Sequence, residues 1–171
     1  LQGHSETSRS YLTAVKQWGN VNLTSMYYAF YLCSNLKTLP ENTTDSFAEV
    51  TTFKYAFEGC SGLQTIPASL FSGCDKVTDV LGCFTKCASL TSVPENLLAP
   101  LKNVTSLQSF LAHCTQLKTV PAGFLRKSGF AQPVGQPSAL RLDARMGLFD
   151  ADEAGEVLVG EVLRREVDEF G

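Results

Sequence analysis

The sequence repeats with a period of 27 positions, and this period restricts the possible folds more than any other feature. Four copies of the pattern F-x-x-C-x-x-L-x-x-[LIV]-P begin at Phe30, Phe57, Phe84 and Leu111, with Leu replacing Phe in the last copy. A unit of this length cannot bury its apolar side chains by itself, so such units stack and bury them against their neighbours. We therefore predict a solenoid built from the four copies.

The apolar spacing inside a unit predicts a first short helix. In residues 77–87 the apolar positions stand three or four residues apart, which is the spacing of one helical face. These positions are Val77, Val80, Phe84 and Cys87. Hydroxyl residues at the equivalent start in other units, in residues 51–52 and 105–106, are typical of helix N-termini.

A second short helix and a short strand complete the predicted unit. Pro67 stands in the first turn of a helix that continues through Leu70 and Phe71 to Cys74, a position where proline is well tolerated. Residues 94–101 repeat this pattern in the next unit. Residues 90–93 form a short segment that favours a strand, and the proline after them ends it. The predicted fold class is therefore an α/β solenoid.

The repeat ends near Leu125, where the composition changes. Five of the six arginines follow this point, whereas Thr, Asn, Cys and Tyr no longer occur. Glycine and proline in residues 128–138 are typical of a linker. The predicted organisation is a lead-in at 1–17, the repeat solenoid at 18–125, a linker at 126–138 and a C-terminal helical cap or appended tail at 139–171.

Residues 57–74 carry a resemblance to a known family. Their sequence, Phe-Glu-Gly-Cys-Ser-Gly-Leu-Gln-Thr-Ile-Pro-Ala-Ser-Leu-Phe-Ser-Gly-Cys, is similar to the BspA-type leucine-rich repeat of bacterial surface proteins, particularly those of gut and oral Bacteroidetes. The resemblance extends over about residues 18–125. It implies a curved, right-handed solenoid in an exported protein that serves adhesion or recognition, and it transfers no catalytic residue to this chain.

Charge and hydropathy argue against nucleic-acid binding and against a membrane-spanning helix. The net charge of −3 argues against a nucleic-acid binder, which usually carries a basic stripe. No apolar run approaches the length of a membrane-spanning helix, about 18 residues. The sequence starts at Leu1 without an export signal, so we expect a processed or truncated chain in which the missing signal does not argue against export.

The six cysteines are predicted to be reduced core residues. Four of them recur in the repeat among Phe and Leu, where cysteine acts as a small apolar side chain. Disulfides stay possible if equivalent residues stack at strand spacing, about 4.8 Å, but not at helix spacing, about 10 Å. A zinc site would use Cys83, Cys87, His113 and Cys114. We disfavour it because the repeat already explains Cys87 and Cys114.

Residues 149–161 are similar to an EF-hand calcium loop. Asp150 and Asp152 match the first and third ligand positions, Gly155 the turn, and Glu161 the twelfth. The candidate calcium ligands are Asp150, Asp152, Glu156 and Glu161. Ala154 lacks the oxygen that the fifth position needs, and no second loop is present. We therefore favour an acidic helix start with solvated carboxylates.

The polar residues beside each extended segment recur with the period and form the candidate binding face, here called the polar stripe. Its members are Lys37, Thr38, Gln64, Thr65, Thr91, Ser92, Lys118 and Thr119. Continuous faces of repeat arrays commonly bind extended partners. We predict a non-enzymatic recognition or adhesion module, without cofactor, for a protein or glycan ligand. The alternatives are a structural spacer within a longer surface protein, and a stripe that only caps the backbone or fills the pleat.

Overall fold

Successive units lie directly against one another in the computed structural model, which describes residues 9–19, 22–43, 45–121, 124 and 139–141. The rings of Phe30 and Phe57 are nearly parallel, with centroids 5.2 Å apart, and the rings of Phe57 and Phe84 repeat this geometry at 5.2 Å. Paired strands are separated by about 4.8 Å and packed helices by about 8–10 Å. The units are therefore spaced like strands.

Backbone hydrogen bonds connect each unit to the next at every second residue. In residues 53–59 alternate amides donate to carbonyl oxygens of the following unit: Phe53 to Asp79, Tyr55 to Leu81, Phe57 to Cys83 and Gly59 to Thr85, at 2.8–2.9 Å. Between them, the amides of Ala56 and Glu58 donate three residues back, to carbonyl oxygens of the same unit. The same alternation connects residues 26–32 with 52–58 and residues 82–86 with 108–112.

Turns replace the helices predicted within the units. Residues 77–87 contain two left-handed residues four positions apart, Gly82 at φ 60° and Lys86 at φ 61°, and the other units have the same conformation at the equivalent positions. A left-handed residue interrupts an α-helix. The amides of both left-handed residues donate to the next unit, Gly82 to Gln108 and Lys86 to Ala112. Residues 67–74 and 94–101 are turns as well, so the described residues do not have the predicted α/β composition.

The turns at residues 77–87, and those at the equivalent positions of the other units, begin at a polar side chain that accepts a hydrogen bond from the amide two residues later. The four acceptors are Ser25, Thr52, Asp79 and Ser106, at 2.9–3.1 Å. This is the Asx or Ser/Thr turn, in which a short side chain imitates a backbone turn. The hydroxyl residues predicted to start a helix therefore start a turn. Thr51 instead donates through Oγ1 to the carbonyl of Thr24, at 3.2 Å.

The described residues contain two short strands, β1 (Thr119–Pro121) and β2 (Ala139–Arg141). They pair antiparallel, with Val120 opposite Leu140. The strand predicted in each unit thus forms only in the last one. β2 lies at the start of the segment predicted as a C-terminal helical cap or appended tail, and the remainder of that segment and the predicted linker lie outside the described residues.

One apolar core runs through the stacked units. It contains the large side chains of Phe47, Phe53 and Phe71 and all six cysteines. Leu12 and Val15, in the segment predicted as a lead-in, pack against this core. The amide of Lys37 donates to the carbonyl of Thr13, at 2.9 Å, so the backbone of this segment contacts the first unit. In the described part of the chain, every buried side-chain nitrogen or oxygen has a hydrogen-bond partner.

Candidate binding surfaces

All eight residues of the polar stripe are exposed. The apolar residues on either side of them in each unit are buried, for example Leu36 and Leu39 beside Lys37. The amide of Gln64 donates to the carbonyl of Lys37 at 3.4 Å, and the amide of Thr91 donates to the carbonyl of Gln64 at 3.2 Å. The structure therefore brings three consecutive units of the stripe together on one surface.

The stripe's side chains differ in how firmly they are held. Lys118 donates through Nζ to the carbonyl of Thr115, at 2.7 Å, and Thr91 donates through Oγ1 to the carbonyl of Gln64, at 3.5 Å. The hydroxyls of Thr38, Thr65 and Ser92 have no hydrogen-bond partner among the described residues. Backbone capping by the stripe, left open from the sequence, is therefore seen at Thr91 and Lys118.

A second exposed surface, which sequence reasoning missed, consists of Tyr27, Tyr28, Tyr31 and Tyr55 and is here called the tyrosine cluster. The ring of Tyr28 lies at its centre, with centroids 4.4 Å from Tyr27, 4.8 Å from Tyr31 and 5.1 Å from Tyr55. Tyr28 and Tyr55 are stacked, whereas Tyr31 meets Tyr28 edge to face. Both are favourable arrangements of aromatic rings.

Charged residues of both signs surround the tyrosine cluster. The Arg9 guanidinium lies 5.4 Å from the ring centroid of Tyr31, and the Lys54 ammonium lies 5.6 Å from that of Tyr55. Lys86 forms an ion pair with Glu58 at 3.0 Å. Its hydrogen bond to Glu58 raises the pKa of Lys86. Desolvation and the neighbouring Tyr27 raise the pKa of Tyr28, so its hydroxyl is protonated at neutral pH.

A sequence signal for this cluster exists, but it lies outside the 27-residue pattern. All five tyrosines of the chain lie between Tyr11 and Tyr55. In the fourth unit the positions of Tyr27, Tyr28 and Tyr31 are occupied by Gln108, Ser109 and Ala112. Tyr28 recurs once, as Tyr55, whereas Tyr27 and Tyr31 have no tyrosine at the equivalent positions of the other units.

The predicted burial of the cysteines is confirmed, and all six are free thiols in the structure. Burial raises the pKa of Cys60, Cys83 and Cys87, and it raises the pKa of Cys74 to about 12. The thiolate is the reactive form of cysteine. These side chains are therefore poor nucleophiles at neutral pH.

Of the two candidate metal sites, the zinc site lies within the described residues and the calcium site lies outside them. The described residues contain no group of three or more His, Cys, Asp or Glu side chains that could hold an ion, so the zinc set around Cys87 and Cys114 is not assembled. His113 is exposed. The candidate calcium ligands Asp150, Asp152, Glu156 and Glu161 lie outside the described residues.

Comparisons of the chain with protein-family models, with curated proteins and with solved structures find no match. The resemblance to BspA-type repeats therefore stays a prediction from the sequence. Among the described residues, no helix is long and apolar enough to cross a membrane.

Proposed function

We propose that this chain is a non-enzymatic recognition module, a repeat solenoid of a bacterial cell-surface or secreted protein that binds a protein or glycan partner along the polar stripe. The observation that supports this most is the uninterrupted exposure of the stripe over four units whose adjacent apolar residues are buried. A row of equivalent polar side chains suits a partner that is itself extended, because each unit offers similar contacts.

Rigidity of the backbone beneath the stripe favours binding. Lys37 and Gln64 lie between buried apolar residues and are connected to neighbouring units by backbone hydrogen bonds. A surface that is ordered before binding loses less conformational entropy when the partner arrives. The exposed hydroxyls of Thr38, Thr65 and Ser92 provide donors and acceptors at regular intervals.

The cysteines support recognition rather than catalysis. A nucleophilic cysteine needs an accessible thiolate and an oriented base. Here the thiols are buried, and burial raises the pKa of Cys60 and Cys87. The only histidine among the described residues, His113, is exposed.

Changing the stripe in all four units tests this proposal. Thr38, Thr65, Ser92 and Thr119 are replaced together by Glu, and retention of extracellular matrix proteins and glycans is measured on the immobilised full chain. We expect capture of the partner that binds along the stripe to be lost, because charge and bulk then conflict with that partner along the whole face, while circular dichroism stays unchanged. A single Thr65→Ala change should have little effect, since the contacts are shared.

A matched control uses another exposed threonine row. Thr24, Thr51, Thr78 and Thr105 recur with the same period and are also exposed. Replacing these four by Glu introduces the same charge and should preserve capture. If the stripe variant unfolds, the stripe is structural. If it folds and binds with unchanged affinity, the binding face lies elsewhere, and a chain that captures nothing favours the spacer function.

A further inference from the structure

We propose that the tyrosine cluster binds a pyranose ring of a glycan by stacking. This site is separate from the polar stripe, and the inference does not depend on the stripe's function. It starts from the ring of Tyr28, which contacts Tyr27, Tyr31 and Tyr55 with centroid distances of 4.4–5.1 Å. The four rings therefore form one preassembled aromatic surface.

The stack of units does not need these tyrosines. The third and fourth units carry Gly82 and Ser109 where the first two carry Tyr28 and Tyr55, and all four positions have the same left-handed backbone, at φ 53–60°. The core positions recur in every unit, whereas the tyrosines do not. A departure from the repeat that the packing does not require points to a local role.

The exposure of the cluster supports a ligand rather than a packing role. Among the described residues the exposed large apolar side chains are Tyr11, Tyr27 and Tyr28, which are 78, 48 and 39% exposed, respectively. Each combines an apolar ring with a hydroxyl. The negative ring face attracts positively polarised C–H groups, and the hydroxyl hydrogen-bonds. A pyranose has the complementary chemistry, with C–H groups on its faces and hydroxyls around its edge.

Other ligand chemistries fit this surface less well. Tyr28 and Tyr55 stack directly on each other, so no organic cation fits between their rings as it would in an aromatic cage. The charges around the cluster are two cations, Arg9 and Lys54, beside the Lys86–Glu58 ion pair, whereas a single-stranded nucleic acid is bound in a groove that is positively charged along its length.

The size of the surface favours a glycan over a protein. A stable protein interface buries about 800 Å² on each partner around an apolar centre. Apart from the tyrosines, the described residues expose no large apolar side chain that could extend the cluster into such a centre. A single sugar ring needs only a few aromatic contacts, and the charged neighbours Arg9 and Lys54 can hydrogen-bond its hydroxyls.

The experiment applies the full chain to an array of pyranose oligosaccharides and then measures the dissociation constant for the structure bound best. The test variant combines Tyr27→Gln with Tyr28→Ser, which are the residues of the fourth unit at these positions. We expect affinity to fall about tenfold or more, equivalent to about 1.4 kcal/mol. The variant Tyr27→Phe with Tyr28→Phe keeps the rings and should lose much less.

Two controls separate this site from other surfaces. Tyr11 is a comparable exposed ring outside the cluster, so Tyr11→Ser should leave glycan binding unchanged. The fourfold Glu variant of the polar stripe should also leave it unchanged, so failure of one proposal is distinguishable from failure of the other. If the double variant unfolds, Tyr27→Gln alone, at a ring that is 48% exposed, carries the test.

Several results would overturn the proposal. Retention of no glycan by the unaltered chain would do so, as would unchanged affinity in the folded double variant. An equal loss in Tyr11→Ser would show that the effect is not specific to the cluster. A protein that is captured through these tyrosines while no glycan binds would assign the surface to a protein partner instead.

Discussion

The thiol of Cys87 donates a hydrogen bond to the carbonyl oxygen of Phe57, 30 residues earlier, at 3.3 Å. The same oxygen accepts the amide of Cys60 at 3.1 Å. Cys60 and Cys114 repeat the contact, donating to Phe30 and Phe84 at 3.2 Å. The recurrent cysteine is therefore both an apolar core residue and a donor to the preceding unit, which explains why this position is not simply aliphatic.

Replacing Cys87 should reveal this hydrogen bond. Cys87→Ala leaves a small cavity and removes the donor, and we expect it to lower the free energy of unfolding more than Cys83→Ala does, by about 1 kcal/mol. Cys83 is equally buried, and Ala56 already occupies its position in the preceding unit. Urea denaturation of the two variants measures the difference. Equal losses would show that the thiol contributes only its volume.

Stability should fall in alkaline solution because the thiols are buried. The pKa of Cys74 is raised from 9.0 to about 12. Above pH 9 the unfolded chain releases this proton and the folded chain keeps it, so the stabilisation is complete below pH 9 and is lost as the pH rises toward 12. Each such thiol contributes a slope of up to about 1.4 kcal/mol per pH unit.

The Cys74→Ala variant isolates the contribution of one thiol to that slope. Its unfolding free energy should be lower at pH 7 but should decline less steeply above pH 9. Chemical denaturation of both proteins at a series of pH values measures this difference. The titration of lysine and tyrosine affects both proteins equally and therefore cancels. Parallel curves for the variant and the unaltered chain would contradict the assigned cause.

Gly82 should not tolerate a side chain while Tyr55 is present. A Cβ atom at Gly82 would lie 2.5 Å from Cδ1 and Cε1 of the Tyr55 ring. Ser109 adopts the same left-handed backbone in the next unit, at φ 55°, so the conformation alone does not demand glycine. We expect Gly82→Ala to destabilise the fold by about 2–3 kcal/mol through overpacking and backbone strain.

A double-mutant cycle with Tyr55→Ala separates these two causes. Without the ring, Gly82→Ala should cost only the backbone term, about 1 kcal/mol. Thermal unfolding of the two single variants and the double variant provides the cycle. If Gly82→Ala lowers the free energy of unfolding equally with and without the Tyr55 ring, contact with that ring is not the reason that glycine occupies position 82.

Substitution of Asn42 should lower the free energy of unfolding more than substitution of most other polar residues. It is 2% exposed, and its Nδ2 donates to the carbonyls of Ser72 at 2.9 Å and Leu70 at 3.3 Å. Its Oδ1 accepts the amide of Ser46. Asn42→Ala removes these three hydrogen bonds from a buried site and should cost about 2–3 kcal/mol.

The control for Asn42 is Asn96, which stands two periods later in the chain and is exposed. Asn96→Ala should change the free energy of unfolding by less than about 0.5 kcal/mol. Asn42→Asp keeps the acceptor but loses both donors, so it should resemble Asn42→Ala at neutral pH or be worse. Near-equal stability of the Asn42 and Asn96 variants would contradict the importance of the amide.

Recurring burial could be predicted from the sequence, whereas the backbone conformation could not. The pattern correctly places Cys60, Leu63 and Ile66 in the core and the intervening Gln64 outside it. It fails at residues 77–87, because apolar residues three or four apart suit a run of short turns as well as a helix. Gly82 hints at the left-handed conformation, but Tyr28 and Lys86 share it without being glycine.

The sequence alone determined which side of each unit is apolar, since that depends only on which residue types recur every 27 positions. Tertiary structure decided where the backbone hydrogen bonds go. An amide such as that of Phe57 can donate within its own unit or to Cys83 of the next, and only a neighbour about 5 Å away makes the second choice possible. It also decided that Tyr28 and Tyr55, one period apart in the chain, stack into one exposed surface.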